Sequence, residues 1–210
     1  MVQVKPDSEA TCRLLAEAQD GRREAFDELF ARHRGYLRRL AELRLDARLR
    51  ARVDPSDVVQ ETQLDALRQL AGFLARRPMP FRLWLRKTAE ERLRMIERQH
   101  LGASKRAVGR EVAWPDEFAA RLAPEAATRD PTPSQQLAQG ELARRVREAV
   151  ARLPERDREI LLLRTFEGLS YAEVGYLLEV DAATARQRHG RALLRLHQLL
   201  TESGLTESQL

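Results

Sequence analysis

Cysteine is almost missing from this 210-residue chain, with Cys12 its one representative. A single thiol excludes an internal disulfide framework and any cysteine-based zinc site with the usual four ligands. The four histidines, His33, His100, His189 and His197, are scattered without metal-ligand spacing, so no metal is expected. Long apolar runs are missing as well. The longest aliphatic run, Ile160 to Leu163, is far too short to span a bilayer. The opening MVQVKPDSEA has no apolar stretch of the kind a signal peptide needs. A cytoplasmic protein with no membrane partner is the expectation. Carboxylate pairs exist at Glu90-Glu91 and Asp54/Asp57. No Gly-rich phosphate loop, nucleophile elbow or ligand cluster accompanies them, so neither catalysis nor a cofactor is expected.

Charge and aliphatic side chains are plentiful instead. Charged residues make up 33% and hydrophobic residues 43%, against 5% aromatics. Leu, Ala, Arg and Glu recur throughout, a mix that favours helices over sheets. The net charge is +5, and the basic residues are mostly arginine. Guanidinium pairs bidentately with phosphate and with guanine, so a polyanionic partner fits. Arg–Glu pairs that merely solvate helix faces fit the composition equally well.

The spacing predicts an all-α chain in two blocks, 8–99 and 134–200, with a linker at 100–133 and a tail at 201–210. Between Arg22 and Leu45, Ala25, Phe26, Leu29, Phe30, His33, Leu37 and Leu40 recur at helical intervals. Asp20-Gly21 separates this helix from a shorter one. Asp54-Pro55 opens the next helix, with Asp as cap and Pro at the first helical position. It is expected to end near Leu74, beside a stripe of Leu64, Leu67, Leu70 and Leu74. ARRPMP, 75–80, is expected to be irregular. A further helix runs from Phe81 to about Gln99. Phe81, Trp84, Leu85, Thr88, Ala89, Leu93 and Ile96 form its apolar side, with Arg86, Lys87, Arg94 and Arg98 opposite. Four prolines interrupt the linker, which has room for one short helix at Asp116 to Leu122.

The second block carries a helix-turn-helix pattern. Gly168 ends a helix containing Ile160 to Phe166. Ser170 and Glu173 form a capping box, with Leu169 and Val174 as its hydrophobic staple. Glu179-Val180-Asp181 is the turn, and Asp181 caps the last helix. On that helix Ala185, His189, Ala192, Leu193, Leu196 and Leu200 face inward. Thr184, Gln187, Arg188, Arg191 and Arg195 face outward, with Arg186 on the boundary. Arg can bond guanine, Gln can bond adenine, and further arginines can reach phosphates in a major groove. A bundle helix with a solvated basic face is the plainer alternative.

In the first block Asp54, Asp57, Glu61 and Asp65 share one helix edge. Part of this is helix-dipole complementation, and a docking edge for a protein is the functional reading. Aromatics next to arginines after the Pro-rich loop can trap an unstacked base.

These strings together resemble a known family. DPSDVVQET (Asp54 to Thr62) resembles the DxxDLVQET signature of sigma region 2.2. FRLWLRKTAEERLRMIERQ (Phe81 to Gln99) resembles regions 2.3 and 2.4. Leu153 to Leu196 is similar to region 4. The chain is thus identified as resembling extracytoplasmic-function (ECF) sigma factors of the sigma-70 superfamily. RARVDPSDVVQET and the lead-in at Pro133 to Ala138 are similar to planctomycete-type members. The resemblance implies a transcription initiation factor that binds core RNA polymerase and promoter DNA.

It also implies residue roles. Asp54, Asp57, Gln60 and Glu61 would meet the β′ clamp helices. Arg76 and Arg77, in the loop to Pro80, would capture a flipped −10 base with Phe81 and Trp84. Arg86, Lys87, Arg94 and Arg98 would hold DNA backbone. Thr184, Arg186, Gln187, Arg188 and Arg191 would read the −35 element, while upstream helices meet the β flap. The family also leaves a place for an anti-sigma factor. Departures from its pattern are Gly175 for the usual Ala, Glu179 for the usual turn Gly, and Glu90-Glu91 where an Asn is usual. A stand-alone helix-turn-helix regulator is the rival reading, and DPSDVVQET is what it leaves unexplained.

Overall fold

The computed structural model describes residues 4, 6–45, 49, 52–101 and 133–204. The described helices fall into two compact units. The first holds α1 (Glu9–Gln19), α2 (Arg23–Arg44), α3 (Pro55–Arg76) and α4 (Phe81–Leu101). The second holds α5 (Pro133–Arg152), α6 (Glu155–Leu161), a π turn (Leu162–Phe166), α7 (Tyr171–Leu177) and α8 (Ala182–Glu202). No strand occurs among the described residues. Most of the expected linker, with the short helix at Asp116 to Leu122, lies outside the described residues, as do 205–210 of the expected tail.

Local chemistry sets the boundaries in the first unit. Ser8 caps α1 by accepting from the Thr11 N–H. Gly21, with φ 86°, makes the left-handed step between α1 and α2. Asp54 caps α3 and Pro55 stands at its start. α3 runs two residues beyond the expected end, so Ala75 and Arg76 are helical. The break falls at Arg77, whose φ of 37° is left-handed. Pro78 forbids a helical residue before it, which fixes the stop there rather than earlier.

The apolar faces of α1 to α4 close on one aromatic-rich core containing Phe26, Phe30, Phe73, Phe81 and Trp84. Trp84 stacks on Phe73 at 4.5 Å, and Phe81 meets Phe73 edge-on at 5.7 Å. Such pairs add about 1 kcal/mol each beyond burial. His33 packs against Phe81 at 5.6 Å. Burial pushes its imidazole down to about 4, aided by the Arg82 and Arg32 charges. A second cluster of Ala41, Leu45, Leu49, Val58, Leu93 and Ile96 closes the other end of the unit. Leu64 departs from its expected stripe. It is 52% exposed, because Ala66, Leu70 and Phe73 carry the buried face of α3 instead.

In the second unit the helix expected through Phe166 ends at Leu161. It passes into the π turn, closed by the Glu167 N–H on the Leu162 carbonyl at 3.1 Å. One extra residue per turn lets Leu161, Leu162, Leu163 and Phe166 all be buried. Gly168 follows with φ 64°, and the Leu169 N–H reaches back to the Leu163 carbonyl at 3.1 Å.

Candidate nucleic-acid interface

The helix-turn-helix is built from two side-chain caps. Ser170 Oγ accepts from the Glu173 N–H at 3.2 Å, and Glu173 Oε2 accepts from the Ser170 N–H at 2.7 Å. Leu169 and Val174 are both fully buried, as the staple requires. Asp181 caps α8 twice, accepting from the Thr184 N–H at 2.7 Å and from its hydroxyl at 2.6 Å. Those hydrogen bonds hold the Asp181 carboxyl below its ordinary range.

The turn between them solves a steric problem. Glu179 has φ 55°, a conformation costing a non-glycine residue roughly 1–2 kcal/mol. A Cβ on Gly175 would sit 2.5 Å from the Val180 carbonyl oxygen. The absent side chain at 175 therefore admits the turn, and Glu179 carries the strain that a glycine would avoid.

α8 presents two faces. Ala185, Ala192, Leu196 and Leu200 are buried. Leu193 and His189 are half-buried, and Arg186, Gln187, Arg188 and Arg191 are exposed. Arg188 and Arg191 have no carboxylate partner among the described residues. Thr184 is half-buried with its hydroxyl committed to Asp181. Arg195 faces outward as expected but is paired with Asp157 of α6. His189 Nδ1 lies 3.2 Å from the Tyr171 hydroxyl. Burial, with the nearby Arg164 charge, lowers its pKa. Two guanidiniums approach the Tyr171 ring, Arg164 at 4.3 Å and Arg186 at 5.1 Å from its centroid.

In the first unit Asp54, Asp57, Gln60 and Glu61 are exposed along α3. Asp54 Oδ1 accepts from the Ser56 N–H at 2.6 Å, which lowers its pKa. The acidic edge is not free along its length. Arg92 of α4 bonds Asp65 through Nε at 2.8 Å and pairs with Glu61 at 3.2 Å. Past Gln60 the edge is an α3–α4 clasp. The exposed cations of α4 are Lys87, Arg94 and Arg98, and Arg76 and Arg77 are exposed at the loop.

Known proteins resemble both units. The family model for sigma-70, region 4, matches residues 143–196. The ECF RNA polymerase sigma factor SigM of Mycobacterium tuberculosis is 31% identical over 192 residues, covering 91% of this chain and 85% of the relative. The ECF RNA polymerase sigma factor SigD of the same species is 29% identical over 191 residues, covering 91% and 84%. This chain belongs to the ECF sigma factors. It is a transcription initiation factor, and its relatives are sigma factors rather than enzymes. Among solved structures, CnrH in complex with the cytosolic domain of CnrY shares the fold of this sigma factor. Its TM-score is 0.56 at 24% identity, over 92% of this chain and 99% of that one. No helix among the described residues is long and apolar enough to cross a membrane.

Three residues expected at the −10 surface of the sigma factor stand elsewhere. Phe81 is 0% and Trp84 7% exposed. Their ring faces are taken up by Phe73 and by each other, leaving none for a base. Arg86 is 3% exposed and pairs with Glu90 at 3.1 Å. Glu90 also faces Arg94 at 3.6 Å and Arg44 of α2 at 3.8 Å. The helical wheel put Arg86 with Lys87, but α2 closes over that side of α4. Sequence reasoning missed Arg92 and Tyr171. The partners of Arg92 lie 27 and 31 residues back, beyond any local pattern. Tyr171, directly after the Ser170 cap, had a signal in its large ring at a helix start.

Proposed function

We propose that the first unit docks on the β′ clamp helices of core RNA polymerase through Asp54, Asp57 and Gln60, with Glu61 shared between polymerase and Arg92. The loop from Arg77 to Pro80, with Arg76 at the end of α3 beside it, captures a flipped −10 base, while Lys87, Arg94 and Arg98 hold DNA backbone. Phe81 and Trp84 serve the loop from beneath, as the packed floor on which it rests. α8 reads the −35 element with Gln187, Arg188 and Arg191 toward base edges. Arg186 and Thr184 stand at its entering end, and the helices before it meet the β flap. An anti-sigma partner, a cytoplasmic location, a planctomycete-type affiliation and the domain limits 8–99, 134–200 and 201–210 belong to the same reading.

The observation that carries it is the outward face of α8. Gln187, Arg188 and Arg191 are exposed on a helix fixed by a cap, a close turn and a stapled helix. A rigid helix with exposed arginines suits a major groove, where one bidentate pair supplies about 1–3 kcal/mol of discrimination. Two weak DNA modules in one chain gain affinity once polymerase fixes their spacing.

Run-off transcription with purified bacterial core polymerase, this protein and a pooled promoter library tests the assignment. Specific transcripts that vanish without the protein are expected, and their starts give the −10 and −35 elements together. Absence of transcripts, with tight binding of the protein alone to duplex DNA, would replace this reading by the stand-alone regulator.

A further inference from the structure

The N-terminus of α4 is capped from 74 residues away. Pro80 precedes Phe81 and has no side-chain acceptor to offer, so α4 cannot cap itself. The Phe81 N–H donates instead to both carboxylate oxygens of Asp7, at 3.0 and 3.1 Å. Asp7 is half-buried and stands directly before Ser8, the cap of α1. One aspartate thus ties the start of α1 to the start of α4.

Between the two helix starts in space lies the connection from α3 to α4. Arg77 leaves α3 in a left-handed conformation, Met79 packs on the aromatic core, and Phe81 is wholly buried. Arg77 and Pro78 are the exposed part. The loop is anchored on one side by the Arg77 N–H on the Phe73 carbonyl at 2.7 Å. On the other side it is anchored by Asp7. Burial raises the Asp7 pKa, opposed by the Phe81 N–H and by the Arg77 charge. A carboxylate at a helix N-terminus is favoured by the dipole and by the otherwise orphaned N–H. Loop geometry at this end of α4 is therefore set by a residue outside the loop.

We propose that Asp7 is a positioning residue for −10 recognition, holding the Arg77–Pro80 loop in its base-capturing shape through the Phe81 N–H. The inference rests on the reading of that loop as the −10 capture site. It predicts that Asp7→Ala lowers discrimination at one −10 position by about tenfold, the scale of a single base contact. Discrimination at −35 and affinity for core polymerase should be unchanged. Asp7→Asn keeps an acceptor for the N–H and should restore most of the preference, which a general loss of folding would not allow.

The experiment is promoter-library transcription with the full chain and core polymerase, comparing wild type, Asp7→Ala, Asp7→Asn and Arg77→Ala. A −10 defect in Asp7→Ala, rescued in Asp7→Asn, supports the inference. If Arg77→Ala shifts the −10 preference and Asp7→Ala does not, Asp7 is only a fold cap and the inference falls while the loop reading stands. If neither shifts it, the loop reading fails and takes the inference with it. Should Asp7→Ala lose helix content by circular dichroism, Asp7→Glu replaces it. The carboxylate is then displaced by one methylene, and an unchanged −10 preference overturns the inference.

Discussion

The two units use the same side chain in opposite ways. In the first, three arginines turn inward: Arg86 and Arg44 close on Glu90, and Arg92 clasps Glu61 and Asp65. In the second, Arg188 and Arg191 stand in solvent on a helix whose buried side is almost wholly Ala and Leu. An arginine in an internal pair is fixed in place and spends its charge on the fold. An exposed arginine contributes little to stability and keeps its charge for a phosphate or a guanine. Net charge alone cannot tell these uses apart.

The largest contrast should come from truncating one arginine of each kind. Arg86→Ala leaves the half-buried Glu90 with Arg44 and Arg94 alone and should destabilise the first unit by about 3 kcal/mol, the low end for a broken buried pair, read by chemical denaturation. Arg188→Ala should leave the melting of the second unit where it was. Equal stability losses in the two variants would erase the distinction drawn here.

Next in size is the docking edge. Asp57→Arg should weaken core polymerase binding by about 3 kcal/mol, more than a hundredfold, with the circular dichroism spectrum retained. Normal affinity would remove α3 from the interface. Within the second unit, Gly175→Ala drives a methyl group onto the Val180 carbonyl and should cost about 1–3 kcal/mol. Glu179→Gly should return about 1 kcal/mol by relieving the left-handed residue. Opposite signs for these neighbouring changes, measured by thermal melting, are the expected result.

Arg188→Ala has a smaller and different signature on DNA. It should relax preference at one −35 position by about 1 kcal/mol or more. A uniform weakening across sequences, with a shallower salt dependence, would make Arg188 a phosphate contact instead. The effect at neutral pH should be smallest for His33. Its folded pKa, about 4, lies below the ordinary 6.5, so the unfolded chain binds the proton more readily. The resulting stability is complete above pH 6.5 and is lost as pH falls toward 4. His33→Gln should flatten the stability profile of the first unit in that window.

Much of this was legible in the sequence because the helices announce themselves. Asp54-Pro55, Ser170 with Glu173, and Asp181 are caps that work within four residues, and each stands where a helix begins. The inward side of α8 could be read from its period, since one face of the helix is uniformly small or aliphatic. What escaped is what depends on a second element. The wheel gave Arg86 a free side, and only α2 shows that side to be covered. Phe81 and Trp84 had qualified both as core and as base trap, and packing against Phe73 decides for core. The acidic edge looked continuous until Arg92 came across from α4. Tyr171 and Asp7 gain their partners across 18 and 74 residues, where no spacing rule applies.

The π turn at Leu162–Phe166 has a consequence for anyone grafting one recognition module onto another relative. A five-residue turn is an α-helical turn with one residue to spare, so this segment already holds an insertion. Deleting a single residue there would let the ladder close in the ordinary register and leave the direction of everything from Gly168 onward nearly unchanged, because five residues of π turn and four of α-helix sweep about the same angle. A residue lost from regular α6 would instead turn the following helices by about 100°, so the π turn is the tolerant place for a one-residue mismatch in a chimera, and a junction before Glu155 carries the spare residue along with the helices it orients.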